Sequence, residues 1–172
     1  GKSLDMLWLE QQGMEVTGVE LAGQAVQDFC RENGLAFSVS KVDACTIYQL
    51  RDRNIRLVVD DFLHFSESYN GARFDSIYDR AALVALPQIM RKEYVAACQK
   101  SLCDRPSGLL VSLEYEQELM QGPPFSVSVE EVQRLWPGML SCMECTDALE
   151  TLPKAREAGI SRLEEYTWRF VV

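Results

Sequence analysis

The sequence predicts an α/β domain: a mostly parallel, doubly wound sheet with an antiparallel edge. Three observations lead there. Strand-like and helical segments alternate from the start of the 172-residue chain, which favours parallel strands joined by right-handed crossovers. Two strand-like segments stop abruptly on polar side chains, Glu15-Val16-Thr17-Gly18-Val19-Glu20 on a carboxylate and Phe74-Asp75-Ser76-Ile77-Tyr78 on Asp79-Arg80. Open α/β sheets hold ligands at the carboxyl ends of their parallel strands. The final third alternates apolar and polar residues at Met139 to Cys145 and again at Leu163 to Val172, as a reversed edge would.

Taken in order, Ser3 caps a helix running to about Gln12, with Leu4, Leu7 and Trp8 spaced as its apolar face and Gly13 closing it. After the strand to Glu20, a helix spans about Gly23 to Glu32 with Ala25, Val26, Phe29 and Cys30 inward, ended by Asn33-Gly34. From Phe37 to Val59 the β-branched alternation gives short strands, with turns near Val42-Asp43 and across Arg51 to Asn54. This is a small antiparallel insertion followed by a parallel strand ending at Asp60-Asp61. Phe62-Leu63-His64-Phe65 leads into a polar loop from Ser66 to Arg73, where His64 is expected to be partly buried.

Pro87 stands just ahead of a helix from about Gln88 to Ser101, whose apolar residues are Ile89, Tyr94, Val95 and Cys98. Gly108 to Leu113 is a near-continuous apolar run, as in a strand covered on both faces. Ser128, three residues before Glu131, begins a capped helix ended by Pro137-Gly138, and a short helical piece lies near Lys154 to Ala158. The whole of residues 1–172 reads as one domain.

The 17 basic and 26 acidic residues leave a formal net charge of −9. Such a field repels phosphate backbones and anionic lipid, so neither nucleic acid nor a membrane is an expected partner. No apolar run reaches the roughly 18 residues of a membrane helix. The six cysteines are dispersed without a disulfide framework, the pattern of reduced thiols in a cytoplasmic protein. Cys142-Met143-Glu144-Cys145 is one C-x-x-C, but with His64 as the only histidine no metal site is expected.

The candidate chemistry lies at the strand ends. An acid about 20 residues after a glycine turn commonly binds ribose hydroxyls; Glu20 lies 19 residues after Gly1, although a solvated strand-end carboxylate is an equal reading. Gly1-Lys2-Ser3 is neither G-x-G-x-x-G nor a Walker loop, which disfavours a nicotinamide dehydrogenase and a kinase. Asp79-Arg80 is either a buried ion pair or a site at which the arginine fork binds a carboxylate, Asp79 or that of a cofactor; its place beside the strand-end crevice favours the cofactor. The prolines of Gln121-Gly122-Pro123-Pro124-Phe125 stiffen a loop that presents Phe125 as a lid or wall. Phe62, Tyr69, Tyr115 and Phe125 are aromatics suited to a cationic or planar ligand, although aromatics near strand ends usually belong to the core, and Phe125 is the first choice among them. One histidine in a loop supplies no Ser-His-Asp or Cys-His machinery.

Four stretches together resemble the thiopurine S-methyltransferase family, especially its bacterial members: Gly1-Lys2-Ser3-Leu4-Asp5-Met6-x-Trp8-Leu9, Gly18-Val19-Glu20-Leu21, Phe74-Asp75-x-Ile77-Tyr78-Asp79-Arg80-Ala81-Ala82-Leu83-Val84-Ala85-Leu86-Pro87 and Gly122-Pro123-Pro124-Phe125. The resemblance implies a class I, Rossmann-like methyltransferase fold using S-adenosylmethionine. It further implies that Glu20 holds the ribose hydroxyls, that Leu21 beside it belongs to the cofactor site, that Asp61 and Phe62 approach the adenine, and that Arg80, a cofactor-binding residue, lines the site where cofactor and substrate meet, with Asp79 orienting it. Pro123, Pro124 and Phe125 match the substrate-side loop. Family members carry an N-terminal lid and a first strand ending in a glycine turn, and this chain begins at the glycine, so both are expected to be lacking. The implied reaction is methyl transfer to a small aromatic thiol or related chalcogen by a monomer. The alternative is a non-catalytic interaction or sensor domain that keeps the fold.

Overall fold

A computed structural model of the chain describes residues 2–42, 45–65 and 73–171, divided between two units, Gly1–Ala72 and Arg73–Val172. The first contains α1 (Asp5–Gln11), β1 (Val16–Glu20), α2 (Gly23–Glu32), β2 (Phe37–Val42), β3 (Cys45–Leu50) and β4 (Ile55–Val59). Its sheet has the order β1-β4-β3-β2. β1 and β4 run parallel, from Val16 opposite Ile55 to Glu20 opposite Val59, while β3 is antiparallel to both β4 and β2. The hairpin β2–β3 is thus the expected antiparallel insertion, although the turn at Asp43 lies outside the described residues.

Val26, Phe29 and Cys30 form the buried face of α2, as their spacing predicts, and pack with Met6, Tyr48, Leu50, Ile55 and Leu57. α1 departs from expectation. Of its stripe Leu4, Leu7 and Trp8, only Leu7 packs against the core, and partly: Leu4 is 61% and Trp8 58% exposed, and the buried residue is Met6. The reason lies on β1, where a Cβ added at Gly18 would fall 2.6 Å from Met6 Sδ and 2.9 Å from Leu57 Cδ2. The missing side chain makes a seat for the thioether, and that seat sets the helix rotation. Ser3 Oγ accepts from the Asp5 N–H at 3.2 Å, so the serine supports the helix start from just outside it.

The second unit contains β5 (Phe74–Asp79), α3 (Ala82–Ala85), α4 (Gln88–Ser101), β6 (Leu102–Glu114), α5 (Val129–Leu135), β7 (Leu140–Asp147), α6 (Pro153–Glu157) and β8 (Glu164–Phe170). The order is β5-β6-β8-β7, with β5 parallel to β6 and β8 antiparallel to both its neighbours. The reversed edge falls where the alternating C-terminal segments predict it. Central β6 carries the apolar run, and within it the fully buried Ser112 accepts from Trp168 Nε1 at 2.9 Å across the β6–β8 ladder.

α4 buries Arg91, Tyr94, Val95 and Cys98, an i, i+3, i+4, i+7 face. Ile89, expected to point inward, is 91% exposed; two residues before Arg91, it lies on nearly the opposite side of a 3.6-residue turn. Ser128 caps α5 as expected, its Oγ accepting from the Glu131 N–H at 3.2 Å. At Gly108, with φ +142°, an added Cβ would fall 2.0 Å from the Ile77 carbonyl oxygen. Any side chain there would push β5 away from β6.

Gly108→Ala is expected to lower stability by about 3 kcal/mol or more, through overpacking against backbone and dihedral strain together. Gly13→Ala, where a Cβ at φ +90° would meet nothing within 4 Å, is expected to cost only about 1–2 kcal/mol. Urea-unfolding midpoints of the two variants check the difference.

Candidate functional site

β5 delivers Asp79 to the start of α3, and the carboxylate is buried there. Its Oδ1 accepts the Ala82 N–H at 2.8 Å and the Leu83 N–H at 3.3 Å; its Oδ2 accepts the Leu83 N–H at 3.2 Å and the Tyr94 hydroxyl at 2.7 Å. Burial pushes the Asp79 carboxyl pKa up, against the opposing pull of the Tyr94 hydroxyl and the α3 N–H groups. Burial, and then the Asp79 charge, hold the Tyr94 phenol well above its ordinary range. Asp79 therefore sets the first turn of a helix, and no ion pair joins it to Arg80 among the described residues. Arg80 itself is exposed at the turn between β5 and α3.

The proline loop is fastened to the same helix. The Phe125 N–H donates to the Val84 carbonyl at 2.6 Å, and the Tyr115 hydroxyl donates to the Pro124 carbonyl at 2.6 Å. Gln117 accepts the Ser126 N–H at 2.8 Å and donates to the Met120 carbonyl at 2.6 Å. The bonds Gly122-Pro123 and Pro123-Pro124 are both cis, and Gly122 has φ +75°. A Cβ at Gly122 would lie 2.6 Å from the Phe125 ring, so the ring rests over a position that only glycine can supply. Behind the loop, the buried Arg91 donates from Nε to the Leu86 carbonyl at 3.0 Å and from Nη1 to Glu131 at 2.8 Å, tying the chain after α3 to α5. Within this unit the structure brings together Asp79, Arg80, Pro123, Pro124 and Phe125 around one short helix.

The first unit gathers the other predicted residues at the carboxyl edge of β1 and β4. Glu20 ends β1, its carbonyl accepts the Asp60 N–H at 3.2 Å, and its Oε1 accepts the Ala22 N–H at 2.9 Å ahead of α2. Leu21 beside it is 70% exposed. Asp61 Oδ1 accepts the Leu63 N–H at 3.0 Å, and Phe62 stacks on Phe65 with ring centroids 6.0 Å apart. A shallow depression is lined by Lys2, Glu20, Ala25, Val26, Phe29 and Leu57. Carboxylates beside apolar and aromatic surface suit a nucleoside, whose hydroxyls donate and whose base is planar. His64 is exposed, not partly buried, with Nδ1 3.5 Å from Asp61 Oδ2. Gly1, Tyr69 and the loop at 66–72 lie outside the described residues.

No disulfide joins any of the cysteines. A register shift in β7 sets Cys142 opposite Trp168 and Cys145 opposite Tyr166, alternate positions of β8, and both thiols are exposed. Among the described residues no helix is long and apolar enough to cross a membrane.

A family model described as thiopurine S-methyltransferase matches residues 1–171. The thiopurine S-methyltransferase of Pseudomonas fluorescens (strain Pf0-1) is 42% identical over 171 residues, 98% of this chain and 77% of that protein. That of Bordetella petrii is 39% identical over 171 residues, with the same shares covered. Among solved structures, an S-adenosylmethionine-dependent methyltransferase from Anabaena variabilis matches with a TM-score of 0.63 at 13% identity, over 99% of this chain and 73% of that one. The Burkholderia thailandensis 1,6-didemethyltoxoflavin-N1-methyltransferase, solved with bound S-adenosylhomocysteine, matches with a TM-score of 0.60 at 16% identity, over 100% and 68%. At such identities the likeness concerns the fold, that of class I methyltransferases.

Sequence reasoning placed Tyr94 merely among the apolar residues of its helix and gave Arg91 and the Tyr115 hydroxyl no partner. The signal for the first was present: an acid three and four residues ahead of Ala82 and Leu83 is a helix-start pattern, and a buried phenol needs an acceptor.

The raised pKa of Asp79 has a signed consequence. Between the ordinary aspartate range and the raised value, the folded state binds more protons than the unfolded one, so this group's contribution to stability falls as pH rises through that window. The stability difference between the wild-type protein and Asp79→Asn should therefore shift in favour of the variant as pH rises from about 4. Parallel denaturant titrations across pH check it; a pH-independent difference contradicts the assignment.

Proposed function

We propose thiol methylation for this chain, which belongs to the thiopurine S-methyltransferase family. The methyl donor is S-adenosylmethionine, and the acceptor is the sulfur, or a related chalcogen, of a small aromatic heterocyclic thiol. The observation that carries the acceptor assignment is the Phe125 N–H to Val84 carbonyl bond at 2.6 Å. It fixes an aromatic wall to the helix that follows Arg80, so a cation and a planar apolar surface share one support. An aromatic thiolate has the matching features, a negative sulfur and a flat ring.

The donor's residues are those gathered at the edge of β1 and β4. Glu20 accepts hydrogen bonds from the ribose hydroxyls, Leu21 covers the sugar, and Asp61 and Phe62 meet the adenine by hydrogen bonding and ring contact. Bound in this way, S-adenosylmethionine supplies a methyl group on a sulfonium sulfur. A thiolate is already a strong nucleophile, so the chain need supply no general base; it orients the acceptor and excludes water. Arg80 steadies the thiolate charge, Asp79 holds the turn that carries Arg80, and Pro123, Pro124 and Phe125 bound the acceptor ring. The proposal includes action as a monomer on a small-molecule partner, in the cytoplasm.

Glu20→Ala is expected to weaken S-adenosylhomocysteine about tenfold or more, the size of a lost charge-assisted hydrogen bond. Isothermal titration calorimetry measures it, and equal affinities would reject the ribose role. Arg80→Ala is expected to lower kcat/KM for 6-mercaptopurine about 100-fold, on the scale of one lost electrostatic contact to the reacting charge. Failure of the wild-type protein to methylate any aromatic thiol at saturating donor would sink the reading.

A further inference from the structure

We propose that Tyr94 is a positioning residue for methyl transfer: through Asp79 it fixes the first turn of α3, and through Val84 the place of Phe125. The inference rests on the thiol-methylation reading. Two oxygens and four donor contacts carry it. The Leu83 N–H is shared between both carboxylate oxygens at 3.3 and 3.2 Å, while each oxygen has one short bond, Oδ1 to the Ala82 N–H at 2.8 Å and Oδ2 to the Tyr94 hydroxyl at 2.7 Å. Without the phenol, Oδ2 loses its short bond, and a buried carboxylate so placed turns or takes up a proton to find another partner.

The consequence travels by backbone. α3 is four residues long, too short to hold its own geometry. Asp79 fixes its start, and the Val84 carbonyl at its far end accepts the Phe125 N–H. Arg80 occupies the turn between Asp79 and that helix. A phenylalanine would fill the volume of Tyr94 in the core equally well, so the hydroxyl is explained by what it holds. Among the described residues the titratable groups facing Asp79 are Tyr94 and Cys98, both on α4 and both buried; α3 contributes backbone N–H groups.

The test compares Tyr94→Phe with Tyr166→Phe, which removes a phenol bonded to Glu164 at 3.0 Å on β8. Amide hydrogen exchange by NMR is expected to quicken about tenfold at Ala82, Leu83 and Phe125 in Tyr94→Phe only, the fold-change for one lost hydrogen bond. KM for 6-mercaptopurine should rise several-fold while S-adenosylhomocysteine affinity by calorimetry stays at the wild-type value. If Tyr94 acts through Asp79, the double variant with Asp79→Asn loses no more kcat/KM than the worse single one. Unchanged exchange at the three amides, quickened exchange with unchanged KM, or additive losses would each overturn the role. Should Tyr94→Phe not fold, Asp79→Asn alone is read at the same amides, and wild-type exchange there overturns the proposal. A wild-type protein that methylates no thiol defeats the functional reading, whereas an active one with an unperturbed variant defeats only the role of Tyr94.

Discussion

A carboxylate buried among neutral donors is the constraint on which the second unit's site depends. Asp79 takes its hydrogen bonds from a phenol and from the opening turn of a helix, so the energy that keeps it in place depends on geometry more than on charge pairing. Neutral donors satisfy a buried anion only when they are held in position. The order of α3, and with it the Val84 carbonyl that seats Phe125, is the other face of that requirement. The carboxylate is thereby committed to the fold.

Glycines make the second constraint, through what their missing side chains admit. Gly18 admits a thioether, Gly108 the carbonyl of Ile77, and Gly122 the ring of Phe125. In each case the distance to an added Cβ is below what real contacts show, and the partner is not free to move equally. Met6 can swing its terminal atoms. The Ile77 carbonyl belongs to a paired strand and cannot, which is why the same substitution has unequal costs along one chain.

Much of this was legible in the residues. The alternation of strand and helix gave the parallel pairs, and the late alternating segments gave the reversed edge, because period and turn chemistry are local properties. α2 and its Asn33-Gly34 stop are set by local spacing and appear as expected. The stripe on α1 misled because its rotation depends on Gly18, a residue on another element. Ile89 misled because an apolar residue in a first helical turn need not share the helix's buried face. At the site, Asp79, Arg80 and the proline loop stood out as polar or stiff interruptions. Their attachment to each other did not, since the bond between Phe125 and Val84 uses backbone atoms that every residue carries. Tyr94 hid for a related reason: tyrosine at a core spacing reads as apolar until its acceptor is seen.

Arg91 shows what such a site permits in neighbouring sequence. Its two bonds leave from different nitrogens in different directions, one to a main-chain carbonyl and one to Glu131. Lysine keeps the positive charge but concentrates its donors on a single terminal atom, and cannot reach both from a planar fork. Exchange of one basic residue for the other at this position is therefore conservative on paper and disruptive in three dimensions, and drift at residue 131 is tied to the same geometry. The chain after α3 can vary in composition only as far as that guanidinium stays in place.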